Sequence, residues 1–347
     1  MEMRPLGRTG MTVSGLCLGS MTWGSQNTTA EGHQQIDRSL DAGINFIDTA
    51  EMYPVNPVQA ETIGRTEEII GLWFEDRGRR DDVILATKHS GEGLGYVRDG
   101  APISPKTIPG TVEGSLRRLK TDYIDLYQFH WPNRGSYMFR QNWTYDPSGR
   151  DREAVIQNME ECLGALQREV DRGTIRSFGL SNESAWGTAQ WLAAAERTGG
   201  PRVASIQNEY SLMCRLYDTD LAELSMLEDV GLLAFSPLAA GFLTGKYRDG
   251  AVPDGSRMAL NADLGGRRTP RAFDAVDAYV ALARKHGLDP SQMALAWSLT
   301  RPFMCSAIFG ATSMDQLEIA LGAADLTLSD EVMADIDTVH RAHPMPF

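Results

Sequence analysis

Cysteine is scarce in this chain of 347 residues, and its four copies, Cys17, Cys162, Cys214 and Cys305, form neither a C-x-x-C pair nor a zinc-like spacing. That argues against a catalytic or metal-binding role for them. Cys17 and Cys305 lie in strand-like apolar runs, so the cysteines read as reduced core thiols. Long hydrophobic runs are also absent: no stretch approaches the ~18 apolar residues of a membrane span. The opening Met1-Glu-Met-Arg-Pro5 lacks the apolar segment of a signal peptide. The expectation is a soluble, cytoplasmic protein with no membrane partner. Positive charge is in deficit, with 33 Lys and Arg against 46 Asp and Glu and a net charge of −13. Such a chain repels a phosphate backbone, which argues against a nucleic-acid partner. A local group of cations and backbone N–H groups can still hold an anionic ligand. Familiar nucleotide and metal motifs are missing too. Gly91-Glu-Gly93-Leu-Gly95-Tyr96 has tyrosine where G-x-G-x-x-G needs its last glycine. Gly241 to Tyr247 is one residue short of a P-loop and has no hydroxyl residue after Lys246, and no H-E-x-x-H occurs.

What is present is alternation. Strand-like apolar runs begin near Leu16, Ile44, Val83, Tyr123, Ile175, Val203, Leu232 and Met304. Most are separated by helix-like stretches, expected over Glu31 to Ala42, Glu61 to Arg77, Pro105 to Lys120, Arg152 to Arg172, Ser184 to Arg197, Asp218 to Asp229 and Phe273 to His286. Asp289-Pro290 opens a further helix with a capping residue and a proline at the first helical position. Strands alternating with helices predict a parallel sheet wrapped by helices. Although 347 residues exceed the usual domain length, α/β barrels routinely do so as one unit. The fold class expected is a single (β/α)₈ TIM barrel over residues 1–347, with Met3 to Val13 forming a β-hairpin that plugs the barrel floor.

Polar residues close three of the buried runs: Asp48 after Ile44-Asn-Phe-Ile, Lys88 after Val83-Ile-Leu-Ala-Thr, and His130 after Ile124-Asp-Leu-Tyr-Gln-Phe. Strand ends share the C-terminal face of a barrel, where catalytic groups gather from separate strands. Tyr53 follows Asp48 by five residues and so belongs to a loop over that face. Taken singly, Asp48 reads as a cap, Tyr53 as a rim aromatic and His130 as a core histidine. Lys88 resists such a reading, because a buried lysine requires a partner. His89 is expected to begin a loop. Three segments, Ser90 to Ser104, Trp131 to Asp151 and Ala239 to Pro270, exceed the ~12 to 15 residues of ordinary loops and read as binding loops. The second carries Trp131, Tyr137, Phe139, Trp143 and Tyr145, a composition suited to the wall of an apolar pocket. Its Arg134 and Arg140 are expected to face water.

Asp48-Thr-Ala-Glu-Met-Tyr53, the strand ending in Lys88, Leu119 to His130 and Gly179-Leu-Ser-Asn182, in this order, resemble the aldo-keto reductases, in the bacterial branch near the potassium-channel β subunits. The likeness runs from about Leu6 to about Ala324. It implies reduction of aldehydes or ketones by hydride from NADP(H), with the protein supplying a proton and the geometry. In that chemistry Tyr53 is the proton donor, and Lys88, partnered by Asp48, lowers its pKa from the ordinary ~10. His130 donates a hydrogen bond to the carbonyl.

The resemblance also implies an extended cofactor across the C-terminal face. Gly19, Met21 and Trp23 would line the nicotinamide, with Asp48 beneath it. Ser181, Asn182 and Gln207 would hold the carboxamide. Phe235 would stack on the ring, while Ser236, Pro237, Leu238, Gly241 and Lys246 would form the pyrophosphate loop. Arg257, Gly310, Thr312 and Gln316 would meet the adenosine end. Trp23, Trp131 and Trp143 are expected in the substrate pocket. One departure concerns adenine: Ile319-Ala320 stands where many relatives carry Glu-Asn. The partner implied is a small carbonyl compound, and no feature specifies an oligomeric state. Two other functions compete, a Schiff-base aldolase using Lys88 as an amine nucleophile and a cofactor-binding regulatory subunit like the channel β subunits.

Overall fold

In the computed structural model, which describes residues 1–347, the chain begins with an antiparallel hairpin, β1 (Met3–Pro5) and β2 (Thr12–Ser14). Eight parallel strands follow: β3 (Leu16–Gly19), β4 (Phe46–Asp48), β5 (Ile84–His89), β6 (Ile124–Phe129), β7 (Ile175–Ser181), β8 (Val203–Glu209), β9 (Gly231–Phe235) and β10 (Met304–Phe309). They pair in chain order, and β10 returns to β3 with Ile308 opposite Cys17, so the sheet closes. This is the (β/α)₈ barrel the alternation predicts. Every residue of β3, β4, β6, β8 and β10 is buried. Helices cover one face of the sheet and neighbouring strands fill the other, so these strands are continuous apolar runs rather than alternating ones.

The helices start where capping residues stand. Thr28 and Glu31 form a capping box before the helix Thr29–Asp41. Asp151 caps Arg152–Asp171, and Asp289 accepts from Ser291 N–H and Gln292 N–H before Pro290–Leu299. Each such cap is worth about 1 kcal/mol. The boundaries differ from expectation by a few residues, most at Glu61, where a single 3₁₀ turn (Ala60–Thr62) precedes Arg65–Arg77. Three helices go beyond the periodicity reading, the four-residue Arg257–Leu260, Met314–Leu321 and Asp330–Ala342, all capped by serine. His89 does not begin a loop. It ends β5, buried, with Nδ1 2.7 Å from Ser90 O and Nε2 3.1 Å from Thr107 Oγ1, and burial pushes its pKa down to about 3. No helix is long and apolar enough to cross a membrane.

The core has two layers. Seventy buried residues fill the space between strands and helices, whereas a separate cluster of ten occupies the barrel interior, including Cys17, Phe46, Leu126, Leu233 and Cys305. Leu6 and Val13 of the hairpin belong to that inner cluster, so the hairpin closes the barrel floor and leaves the C-terminal face open. The cysteines are free thiols, with Cys17, Cys162 and Cys305 buried. The hairpin turn needs glycine at Gly7: φ is +53°, and an added Cβ would lie 2.4 Å from the Ala204 carbonyl oxygen.

Gly7→Ala therefore combines a left-handed backbone penalty with a clash against main chain, and a loss of at least ~2 kcal/mol is expected. Gly10 also has positive φ, +79°, but open space around it, so Gly10→Ala should cost less. Urea unfolding of both variants checks this, and equal midpoints would refute the plug geometry.

Candidate active site

A buried ion pair stands where β4 and β5 end. Lys88 is fully buried, and its Nζ donates to Asp48 Oδ2 at 2.5 Å and to the Thr49 carbonyl at 2.7 Å. The other carboxylate oxygen, Oδ1, accepts from Gln207 Nε2 at 2.8 Å and Gln128 Nε2 at 3.1 Å. Asp48 thus has three donors from three other strands, which offsets the cost of burying a charge. Burial alone would depress the lysine pKa, but the carboxylate and Tyr53 outweigh it, and the net shift is upward. Lys88 is therefore an ammonium.

Tyr53 sits in the turn after β4, fixed by its own N–H to the Ala50 carbonyl at 3.0 Å and by Gly64 N–H to its carbonyl at 3.1 Å. Lys88 Nζ lies 4.9 Å from the centre of its ring. The direction of the Tyr53 pKa differs from expectation. Burial raises it above the ordinary tyrosine value, and the opposing pull of Lys88 only reduces the rise. The hydroxyl thus stays protonated, and the nearby cation lowers the cost of a phenolate at this position. His130 packs edge-on to Tyr53, ring centroids 5.8 Å apart, and its N–H extends the β5–β6 ladder to the His89 carbonyl at 2.9 Å. Burial, with Lys88 adding to it, holds the His130 pKa well below 6.5. The ring is neutral and has one N–H to donate. Asp48, Tyr53, Lys88 and His130 are thus gathered at one spot: a hydroxyl with a proton, a fixed cation behind it and a neutral imidazole beside it.

Asp48, Tyr53 and His130 line a cavity of about 1090 Å³, whereas Lys88 is fully buried and does not. On one side Met52, Val55, Leu94, Trp131 and Phe139 line it, and of these only Trp131 and Phe139 belong to the loop read as an aromatic wall. The Trp131 indole N–H donates to the Glu92 carbonyl at 3.1 Å, fixing the ring against His130 at 5.0 Å. Glu51, buried, anchors the neighbouring loop 90–104 through Arg98 at 2.5 Å and Ser90 N–H at 2.6 Å. Two of the tryptophans do not line the cavity. Trp23 is fully buried behind it, its indole N–H donating to Gln35 Oε1 at 3.0 Å, and Trp143 is 62% exposed on the far side of its loop. Large aromatics fill core and rim as readily as pockets, and composition does not distinguish the cases.

On the other side the remaining expected cofactor positions all line the cavity: Gly19 and Met21, then Ser181, Asn182 and Gln207, then Phe235 to Leu238 with Gly241, Lys246 and Arg257, and finally Gly310, Thr312 and Gln316. At Gly19 a Cβ would lie 3.0 Å from the Phe309 carbonyl oxygen, so this wall is kept close by glycine. Asn182 uses Nδ2 on the His130 carbonyl at 2.8 Å and on Ser181 Oγ at 3.1 Å, while its Oδ1 is buried without a partner. An unpaired buried acceptor fits an amide N–H₂. Lys246 and Arg257 have no carboxylate partner, and Arg257 Nη2 lies 3.2 Å from Met21 Sδ. Burial, reinforced by Arg267, brings the Arg257 pKa down to about 10, so its guanidinium remains charged at neutral pH, and burial with Arg257 nearby lowers the pKa of Lys246. Two unpaired cations in one cavity fit a phosphorylated ligand. Ile319 and Ala320 line its far end.

The two arginines of the aromatic loop do not face water. Arg134 pairs with buried Glu183, and Arg140 Nη1 donates to buried Glu209 Oε2 at 2.8 Å. Ion pairs between residues 49 and 69 positions apart leave no local mark in a sequence. Gln128 was also passed over. Its signal was available, a polar residue two positions before His130 and hence on the same face of β6.

The sequence profile of the Aldo/keto reductase family matches residues 15–341. Protein tas of Escherichia coli (strain K12) is 41% identical over 352 aligned positions, covering 100% of this chain and 99% of that protein. The uncharacterized oxidoreductase YrpG of Bacillus subtilis (strain 168) is 32% identical, over 98% of this chain and 96% of its own length. A probable voltage-gated potassium channel subunit beta of Oryza sativa subsp. japonica is also 32% identical, over 99% of this chain and 98% of its own.

Because His130 is neutral when folded and protonated when unfolded below its ordinary pKa of 6.5, acid removes stability from that value downward as protons bind the unfolded chain. In ¹⁵N NMR of the folded protein the His130 ring is expected to stay neutral from about pH 8 to pH 6. A titration midpoint near 6.5 would contradict the burial and the Lys88 field.

Proposed function

This chain belongs to the aldo/keto reductase family and is an oxidoreductase acting on carbonyl groups, and on that premise we propose that it reduces aldehydes or ketones with NADPH, Tyr53 giving the proton. The observation that carries the reading is the set Lys88, Asp48, Tyr53 and His130, of which Asp48, Tyr53 and His130 line a cavity with two unpaired cations. NADPH, when bound, supplies the hydride. Asn182 and Gln207 would hold its carboxamide, Lys246 and Arg257 its phosphates, and the backbone N–H groups of the 236–245 loop its pyrophosphate. The chain's own residues do the rest. His130 donates to the carbonyl oxygen and orients it, and Tyr53 Oη passes its proton to that oxygen as charge develops there. Lys88 then stabilises the phenolate, with Asp48 holding the ammonium in position. Met52, Leu94 and Trp131 exclude water, which strengthens each of these interactions.

The aldolase alternative requires a free, accessible amine on Lys88. Its full burial, two hydrogen bonds and raised pKa all oppose that. The similarity to a rice channel subunit supports a cofactor-reporting role only if turnover is absent, so a carbonyl panel distinguishes the two.

Tyr53→Phe is expected to lower kcat for aldehyde reduction by ~10²-fold or more with cofactor Kd nearly unchanged, and a wild-type kcat in a chemistry-limited assay would remove Tyr53 from the role. Arg257 can make charge-assisted bonds to a 2′-phosphate that NADH lacks. NADPH should therefore bind roughly 10- to 100-fold tighter than NADH. Fluorescence titration of wild type and Arg257→Ala checks this; a preference that survives the substitution would overturn the assignment.

A further inference from the structure

The arginines of the loop 131–151 are not alike. Arg134 meets Glu183 one to one and lies outside the large cavity, its Nη1 3.0 Å from Glu183 Oε2. Arg140 lines the cavity beside Phe139 and shares its carboxylate. Glu209, 5% exposed at the end of β8, accepts Arg140 Nη1 on Oε2 at 2.8 Å and Arg267 Nε on Oε1 at 2.8 Å. Two guanidiniums against one carboxylate leave one positive charge in excess. Burial and the neighbouring Arg267 accordingly lower the Arg140 pKa, and its Nε is buried without any partner. The loop carrying Leu264, Gly265 and Gly266 covers the guanidinium closely, since a Cβ on Gly265 would lie 3.2 Å from Arg140 Nη2. An uncompensated, half-desolvated cation at the edge of an apolar pocket is expensive to keep unless an anion meets it.

Building on the reductase reading, we infer that Arg140 is a carboxylate subsite and that the enzyme's preferred substrates are aldehydes that also bear an ionised carboxyl group. The apolar wall of Met52, Val55, Leu94 and Trp131 takes the body of such a molecule. His130 and Tyr53 take its carbonyl, and Arg140 takes the far end. Lys246 and Arg257 are assigned to the cofactor, and Arg267, which also lines the cavity, reaches Ser236 of the pyrophosphate loop at 3.5 Å, which leaves Arg140, on the aromatic loop, as the cation on the substrate side. Glu209 is a positioning residue, holding the guanidinium without cancelling its charge.

The test compares each aldehyde acid with its own methyl ester, so that only the charge differs: 4-formylbenzoate with methyl 4-formylbenzoate, and succinic semialdehyde with its methyl ester. With NADPH and wild-type enzyme, kcat/KM for at least one acid should exceed that of its ester by on the order of tenfold, the value of one charge-assisted bond. In Arg140→Met the acid-to-ester ratio should fall to near one, mainly through KM of the acid, and in Arg140→Lys it should be partly restored. If wild type turns the esters over as well as the acids, the subsite is refuted whatever the variants do. If Arg140→Met slows acid and ester equally, Arg140 is structural and the inference fails. A tenfold loss of NADPH affinity in that variant with an unchanged ratio would make Arg140 a cofactor contact and overturn it too. Absence of turnover with every aldehyde would overturn the reductase reading and this one together, whereas turnover without charge preference overturns this one alone.

Discussion

An ion pair buried at the top of a closed barrel sets the terms for everything around it. Lys88 loses its hydration entirely and Asp48 nearly so, a cost of several kcal/mol per charge in a real protein. They persist because the closed sheet brings Gln128 from β6 and Gln207 from β8 within reach of one carboxylate oxygen and aims the Thr49 carbonyl at the ammonium. An open sheet would hold β8 four strands away from β4, and closure is what brings Gln207 across the barrel to Asp48. Fold and site are thus linked through hydrogen bonding: the barrel satisfies the pair, and the pair leaves a fixed positive charge beneath Tyr53. That charge does not make Tyr53 acidic, since desolvation is the larger effect. It makes the loss of a proton less costly than burial alone would dictate.

Pairing distinguishes the cations left free to meet a ligand from those that hold structure. Arg98 is spent on Glu51 and Arg134 on Glu183, both pairs securing loops to the barrel rim. Lys246 and Arg257 are unspent, and Arg140 is spent only in part. In a chain of net charge −13 such a local positive surplus inside a cavity is a built feature rather than an average of composition.

The eight strands were legible because parallel strands buried on both faces read as unbroken apolar runs, and polar residues at their ends stand out against them. Asp48, Lys88 and His130 were visible for that reason, and Tyr53 by its distance from Asp48. The two last helices escaped notice although Ser313 and Ser329 cap them, because only two residues of Asp330–Ala342, Val332 and Ile336, are buried, so its apolar stripe is thin. Trp23 and Trp143 were misread as pocket residues, since an aromatic side chain serves core, rim and pocket with the same chemistry. The partners of Arg134 and Arg140 were invisible because register between distant loops is a property of the assembled barrel. The upward shift of Tyr53 was equally hidden, as it depends on burial and not on neighbours in sequence.

The central claim is that the Lys88 charge, held by Asp48, serves proton transfer by Tyr53. Aldehyde reduction and the reverse alcohol oxidation measured against pH in Lys88→Met, and in the double variant Asp48→Asn/Lys88→Met that leaves no unpaired charge, test it most directly. Both variants are expected to bind NADPH while losing ~10²-fold or more in kcat, with the basic limb of the oxidation profile displaced upward. A folded double variant with the wild-type rate and the wild-type pH profile would contradict the account.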